Sequence, residues 1–168
     1  MHTEALRFAE RALAKVSVTG HVLEIGSRDI NGSARLLFAT AASYTGIDLQ
    51  DGPGVDVQAD GATYTPSQPP RIVVCMEVLE HTPVAATLIE HAAEHLVPGG
   101  WLLLTCATDP RAAHSGRDGG SLGDGEYYGN VAPHDLRGWL DAAGFEVVLE
   151  EVHFERGDLY ALARKAAA

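Results

Sequence analysis

Short apolar runs alternate with amphipathic stretches along the chain, and the alternation predicts strands and helices in turn. Thr3 to Val16 sets Ala5, Leu6, Ala9, Leu13 and Val16 near helical spacing. His21 to Ile25 (HVLEI) reads as a short strand ending at Gly26. Ser33 to Ala41 reads as the next helix, with Asn31 or Ser33 available to cap it. Ser43 to Ile47 is a second strand ending at Asp48, and Val55 to Ala59 alternates as a short third strand ending at Asp60. After a linker at Pro66–Pro70, Arg71 to Met76 (RIVVCM) is a continuous apolar strand of the kind buried on both faces. Pro83 to Leu96 is a helix with proline in its first turn, stopped by Pro98-Gly99-Gly100. Trp101 to Cys106 is another buried strand, and Thr108 to Asn130 is a long, glycine-rich irregular stretch. Pro133 to Ala143 is a helix closed by Gly144, and Phe145–Val152 with Glu155–Ala163 reads as a strand pair.

Strands alternating with helices imply an α/β domain, a mostly parallel sheet with helices on both faces. In such sheets a ligand sits beyond the carboxyl ends of the strands, where strand order reverses. The polar punctuation falls there: Glu24 to Gly26, Asp48, Asp60 and Glu77 all lie at or just past strand ends. A length of 168 residues fits one domain, 1–168, able to bury a core without disulfides or a metal.

Composition narrows the function classes. Twelve bases against 23 acids give a net charge of −11, which repels phosphate backbones, and no basic cluster reads as a nucleic-acid stripe. No apolar run is long enough to span a bilayer, and MHTEALRFAERALAKV lacks the apolar centre of a secretory signal, so a cytoplasmic location is expected. Cys75 and Cys106 fall inside apolar strands and read as buried, reduced thiols. They have no close-spaced partners, so no metal site is indicated from them.

The chemistry gathers first at Val22 to Ser33, VLEIGSRDINGS. Gly26 permits a sharp turn and close backbone approach to a ligand, and Gly32 can do the same before the next helix. The N–H groups of the turn and helix start then point at whatever binds. Asp48, in YTGIDLQ beside Leu49, can accept hydrogen bonds from both hydroxyls of a ribose. Asp60 and Gly61, in QADGAT, could read an adenine amino group. Taken singly, each of these is equally an ordinary turn glycine or loop acid.

RIVVCMEVLEH at Arg71–His81, followed by LVPGGWLLLT, closely resembles the fourth and fifth strands of class I S-adenosylmethionine-dependent methyltransferases, above all the small-molecule subgroup. The resemblance runs in order from Val22 to Thr105, and AAGFEVV near Gly144 fits the family's late helix–strand junction. It implies a Rossmann-like seven-stranded sheet with an antiparallel C-terminal strand, S-adenosylmethionine as cofactor, and a small-molecule acceptor. It places Glu24 and Gly26 under the methionine part of the cofactor, Asp48 at the ribose, Asp60 and Gly61 at the adenine edge, and Met76 and Glu77 beside the cofactor. One departure stands out: the family's acid-x-Gly-x-Gly-x-Gly is here broken by Ser27-Arg28-Asp29-Ile30-Asn31, so Ser27 or Arg28 becomes the candidate to bind the cofactor carboxylate.

Methyl transfer needs in-line positioning, and a base where the nucleophile carries a proton. His114 or His81 is the candidate base, and Tyr127 and Tyr128 are expected to shape the acceptor pocket. Two motifs point elsewhere and are set aside. His91-Ala92-Ala93-Glu94-His95 matches a zinc pattern but its register puts it on a solvated helix face. Pro69-Pro70 resembles the signature of amine methylases, but it precedes the fourth strand instead of following it. The alternatives are a catalytically silent cofactor-binding module or partner subunit, and an ordinary dinucleotide enzyme, in which EVLEH has no role.

Overall fold

The computed structural model describes residues 3–167. Seven strands form one sheet: β1 (His21–Ile25), β2 (Ser43–Asp48), β3 (Val57–Gln58), β4 (Ile72–Met76), β5 (Trp101–Ala107), β6 (Phe145–His153) and β7 (Asp158–Lys165). Their spatial order is β3-β2-β1-β4-β5-β7-β6. All neighbours pair in parallel except β7, which runs antiparallel to both β5 and β6. Order reverses between β1 and β4, so the crevice for a ligand opens beyond Ile25 and Met76.

Strict alternation in the central strands sends side chains to two cores. Val22, Ile72, Val74, Met76, Leu103, Tyr160 and Leu162 face helix α1 (Thr3–Leu13), which contributes Ala5, Phe8, Ala9 and Ala12. Phe8 packs on Tyr160 with ring centroids 5.1 Å apart. Leu23, Ile25, Val73, Cys75, Leu102, Leu104 and Cys106 face the opposite side, under α2 (Ala85–His95) and α3 (Pro133–Ala142). Both cysteines are free and buried. Helices therefore cover both faces of a sheet whose central strands β1 and β4 are buried throughout, which is why β4 reads as an unbroken hydrophobic run, while β1 carries His21 and Glu24 within it. No helix among the described residues is long and apolar enough to cross a membrane.

Three elements differ from their sequence expectations. The helix expected over Ser33–Ala41 is a single 3-10 turn, Arg35–Phe38, with only Phe38 buried and Leu36 86% exposed. The irregular stretch from Ser27 to Ala34 consumes the residues that would have formed the first helical turns. Arg35 is then fixed sideways, donating to the Gly54 carbonyl (3.3 Å) and to Asp56 Oδ2 (2.6 Å), and this pins the turn to the edge of the sheet. The third strand is only Val57–Gln58, both exposed, because it lies at the sheet edge with no helix over it. The last strand is Asp158–Lys165, displaced C-terminally from Glu155–Ala163, since 154–157 form the connecting turn.

Candidate functional site

One cavity of about 430 Å³ lies across the carboxyl ends of β1, β2 and β4. All eleven residues proposed for the cofactor, Glu24, Gly26, Ser27, Arg28, Gly32, Asp48, Leu49, Asp60, Gly61, Met76 and Glu77, line it, as do His81 and His114. Helix α1 contributes nothing to the lining; it packs on the sheet. The volume suits a nucleoside-sized ligand, and the lining alternates acids with apolar walls from Ile25, Ile47, Ala59, Val78 and Leu88.

The turn after β1 is built by doubled hydrogen bonding. The amides of Gly26 and Ser27 both donate to the Ile47 carbonyl, at 2.9 and 3.0 Å. Asp48 closes the turn from the other strand: its Oδ2 accepts from the Arg28 amide (3.3 Å) and its Oδ1 from the Gln50 amide (2.9 Å). Asp29 Oδ1 accepts from the Gly32 amide at 2.8 Å, and its own amide donates to the Pro53 carbonyl at 2.8 Å. The longer turn is thus held by side-chain acids where the family pattern has glycine. The Arg28 guanidinium donates to Gln50 Oε1 (2.8 Å) and the Arg117 carbonyl (3.0 Å), so it ties the turn to the 108–130 segment. The Ser27 hydroxyl is buried and without a protein partner.

Glu24 is 2% exposed, and Tyr44 Oη donates to its Oε2 at 2.6 Å. Burial pushes its carboxyl up to about 7, against the opposing pull of the Tyr44 hydrogen bond and of Arg35. Asp60 is exposed at the far end, holding its own turn through the Ala62 amide at 2.9 Å. Glu77 follows β4 with φ of +58°, a left-handed conformation rare for a side-chain-bearing residue. Its amide donates to the Thr105 carbonyl at 2.7 Å, which fixes that strained geometry at the cavity wall.

At the other end the 108–130 segment folds over the site. It is anchored by Gly129 donating to the Glu80 carbonyl (2.8 Å), by Val131 donating to the Ala107 carbonyl (2.9 Å), and by an Arg111–Asp158 ion pair. His81 and His114 meet edge to face at 5.0 Å between ring centroids, and Tyr128 packs on both, at 5.5 and 4.9 Å. Burial, with His114 beside it, drops the His81 imidazole to about 4, so it is neutral at pH 7. Tyr127 is not brought to this cluster: it is 46% exposed, lies outside the cavity lining, and turns its hydroxyl toward Gly129. Tyr128, its neighbour, also lies outside the cavity lining, but it packs behind the two imidazoles. Arg111, Ser115, Gly116 and Gly119 also line the cavity, and sequence reasoning did not single them out. They sit in an irregular segment where no periodicity marks which side faces in.

His91, Glu94 and His95 do come together on α2. His91 Nε2 lies 2.9 Å from the Tyr64 carbonyl and its Nδ1 lies 3.5 Å from Glu94, whose side chain is 72% exposed.

The sequence model of a family described as "Methyltransferase domain" matches residues 1–150. No curated protein matches the chain. Among solved structures, the chain is similar to the 1,6-didemethyltoxoflavin-N1-methyltransferase of Burkholderia thailandensis, solved with S-adenosylhomocysteine and 1,6-didemethyltoxoflavin: TM-score 0.72, 18% identity, 96% of this chain and 78% of that one. It is similar to an amino pentose methyltransferase from Micromonospora echinaspora, solved with S-adenosylmethionine: TM-score 0.70, 18% identity, 98% of this chain and 91% of that one. It is also similar to the cyclase SpnF, with TM-score 0.71, 17% identity, 97% of this chain and 81% of that one. At these identities the structural likeness establishes the fold.

Proposed function

The chain belongs to the methyltransferase-domain family, and on that premise we propose that it transfers a methyl group from S-adenosylmethionine to a small-molecule acceptor held at the His81–His114 end of the cavity. The observation that carries this reading is the shared cavity: acids from four strand ends and a two-imidazole cluster line one space. The cofactor fits the donor set. Asp48 offers a carboxylate already fixed by two amides to a ribose, and Asp60 and Gly61 stand where an adenine edge would lie. Glu24 and the unpartnered Ser27 hydroxyl stand at the amino-acid end. Bound there, S-adenosylmethionine supplies an electrophilic methyl on a sulfonium.

The chain's own residues orient and shield. Met76, Val78 and Leu88 line the middle of the cavity and exclude water from the transfer path. The 108–130 segment carries His114 to the acceptor end and closes over it. His81, held near 4, is a weak proton acceptor, which leaves His114 as the candidate base for an acceptor that must lose a proton. The net charge of −11 argues against nucleic acid as acceptor.

Calorimetry with S-adenosylhomocysteine and with NAD tests the cofactor: binding of the first and not the second is expected, and absence of S-adenosylhomocysteine binding would falsify the reading. Methyl transfer to a panel of small phenols, amines and carboxylates then separates an active enzyme from a silent module.

Glu24 makes the binding pH-dependent. An ammonium beside Glu24 favours its ionised form, so binding lowers a carboxyl that stands at about 7 in the free protein and releases a proton. Affinity for S-adenosylhomocysteine is therefore expected to rise between about pH 6 and 8, by up to about tenfold, and to level off above. Glu24→Gln, which keeps an acceptor for Tyr44, removes this slope. A slope unchanged in Glu24→Gln would refute the assignment of Glu24 to the amino group.

A further inference from the structure

Glu80 has no part in the scheme above, yet it is the most buried acid of the chain, at 0% exposure. Its carboxyl lies near the backbones of Glu80 itself and of Ala107, with neither oxygen in a well-formed hydrogen bond. Beside it, His81 Nδ1 is also buried and without a hydrogen-bond partner. A buried carboxyl with no well-formed hydrogen bond and a buried imidazole nitrogen without a partner are costly unless something else satisfies them. The nearby Arg111 guanidinium acts on Glu80 only through its charge: one end is engaged by Asp158, and its Nε is buried without a hydrogen-bond partner.

Donor atoms of Glu80, His81 and His114 all lie within 4.8 Å of one another. His114 Nδ1 lies 3.1 Å from the Ala112 carbonyl. Donation from Nδ1–H to that carbonyl leaves Nε2 as the ring's lone-pair nitrogen and fixes the ring, the outer arrangement that metal-bound histidines use. Two imidazoles and one carboxylate form a donor set for a zinc-like divalent cation, with coordination positions left open for a further ligand. Metal bonds of about 2.0–2.2 Å bring such donors to within about 3.5 Å of each other. Small side-chain shifts, for which the half-buried His114 has room, would close the set. The other three-donor group among the described residues, His91–Glu94–His95, has no comparable buried, unpartnered atom, and its acid is exposed.

We propose that Glu80, His81 and His114 bind a divalent first-row cation of the zinc type at the acceptor end of the cavity. Its open positions face a small-molecule acceptor that offers a hydroxyl or phenol oxygen. This rests on the methyltransferase reading and sharpens it, because it selects oxygen acceptors able to bind a cation over simple amines. In the cation-bound protein His114 is a ligand and not the base.

The test uses the full, untagged chain stripped with a chelator. Zinc titration by calorimetry is expected to show one tight equivalent, and cobalt(II) a visible absorption band of a low-coordinate nitrogen–oxygen site. Glu80→Gln, nearly isosteric, and His114→Ala, on the covering segment, are each expected to weaken zinc binding at least tenfold and to abolish the band. His95→Ala leaves both unchanged. No zinc binding, or binding insensitive to Glu80→Gln and His114→Ala but lost in His95→Ala, overturns the proposal. S-adenosylhomocysteine is titrated into the same samples. Its binding without zinc binding sinks the cation site and leaves the methyltransferase reading standing, while its failure to bind sinks that reading whatever zinc does.

Discussion

Replacing Gly26 with alanine is expected to destabilise the protein by about 2–5 kcal/mol and to weaken S-adenosylhomocysteine binding at least tenfold. Two costs add. Gly26 has φ of +77°, a left-handed conformation that costs a residue with a Cβ about 1–2 kcal/mol. The new Cβ would also stand 2.2 Å from Val78 Cγ2, so Val78 must move. Displacing a well-packed neighbour costs about 1–3 kcal/mol more. Val78 cannot move freely, because its carbonyl accepts the His81 amide at 2.9 Å and it follows the strained Glu77. The disturbance therefore reaches both ends of the cavity. For a chain of this size the loss corresponds to roughly 5–20 °C in melting temperature. Gly144→Ala is the control: its φ is +78°, but no atom lies within 4 Å of the added Cβ, so it pays the backbone cost alone. Thermal melts of both variants decide the matter. Equal melting temperatures would show that the Val78 contact constrains nothing.

The legible parts of this chain are those where one physical signal dominates. Unbroken apolar runs at Arg71–Met76 and Trp101–Cys106 mark strands buried on both faces, and both are. Acids at strand ends were legible because a polar residue directly after a buried run has few places to be except the sheet's carboxyl edge. Asp48 and Glu77 reach the cavity that way, and Asp60 reaches it from the exposed edge strand β3. The Ser33–Ala41 helix failed although Asn31 and Ser33 offered caps for it: the N-cap of the turn that forms is Ala34, with no side-chain cap bond. Leu36 finds no groove, Leu37 packs only partly on the core, and the lengthened turn before them is anchored by Asp29 and Asp56, whose partners lie at Gly32 and across in Arg35 and Gly46. The Asp56 contacts are tertiary and leave no local pattern. The same holds for the 108–130 segment. Its inward residues are fixed by Arg111 pairing with Asp158 and by Asn130 bonding to Asp109 and to the Arg111 carbonyl. That is why Tyr128 and not Tyr127 meets the histidines, a choice between adjacent aromatics that alternation in an irregular segment could not make.

Asp48→Ala is expected to weaken S-adenosylhomocysteine binding by on the order of 1.5–3 kcal/mol, about ten- to more than a hundredfold. The proposed ribose contact supplies one part of the loss, since hydrogen bonds to a charged acceptor are the stronger kind. The structure supplies a second. Asp48 holds the Arg28 and Gln50 amides, and alanine releases both at once. The turn then rests on the Ile47 carbonyl and on Asp29, and the Arg28 bridge to Gln50 and to the Arg117 carbonyl loses its fixed base. Asp48→Asn separates the two parts. It keeps an oxygen for one amide but loses the charge, so it should fall between wild type and alanine. Folding stability should change far less than binding in both variants, because Asp48 is only half-buried and its amides can turn to water. Calorimetric titration alongside thermal melts measures both quantities. An unchanged dissociation constant in Asp48→Ala would remove the ribose assignment, and a large drop in melting temperature with normal affinity would recast Asp48 as a purely structural latch.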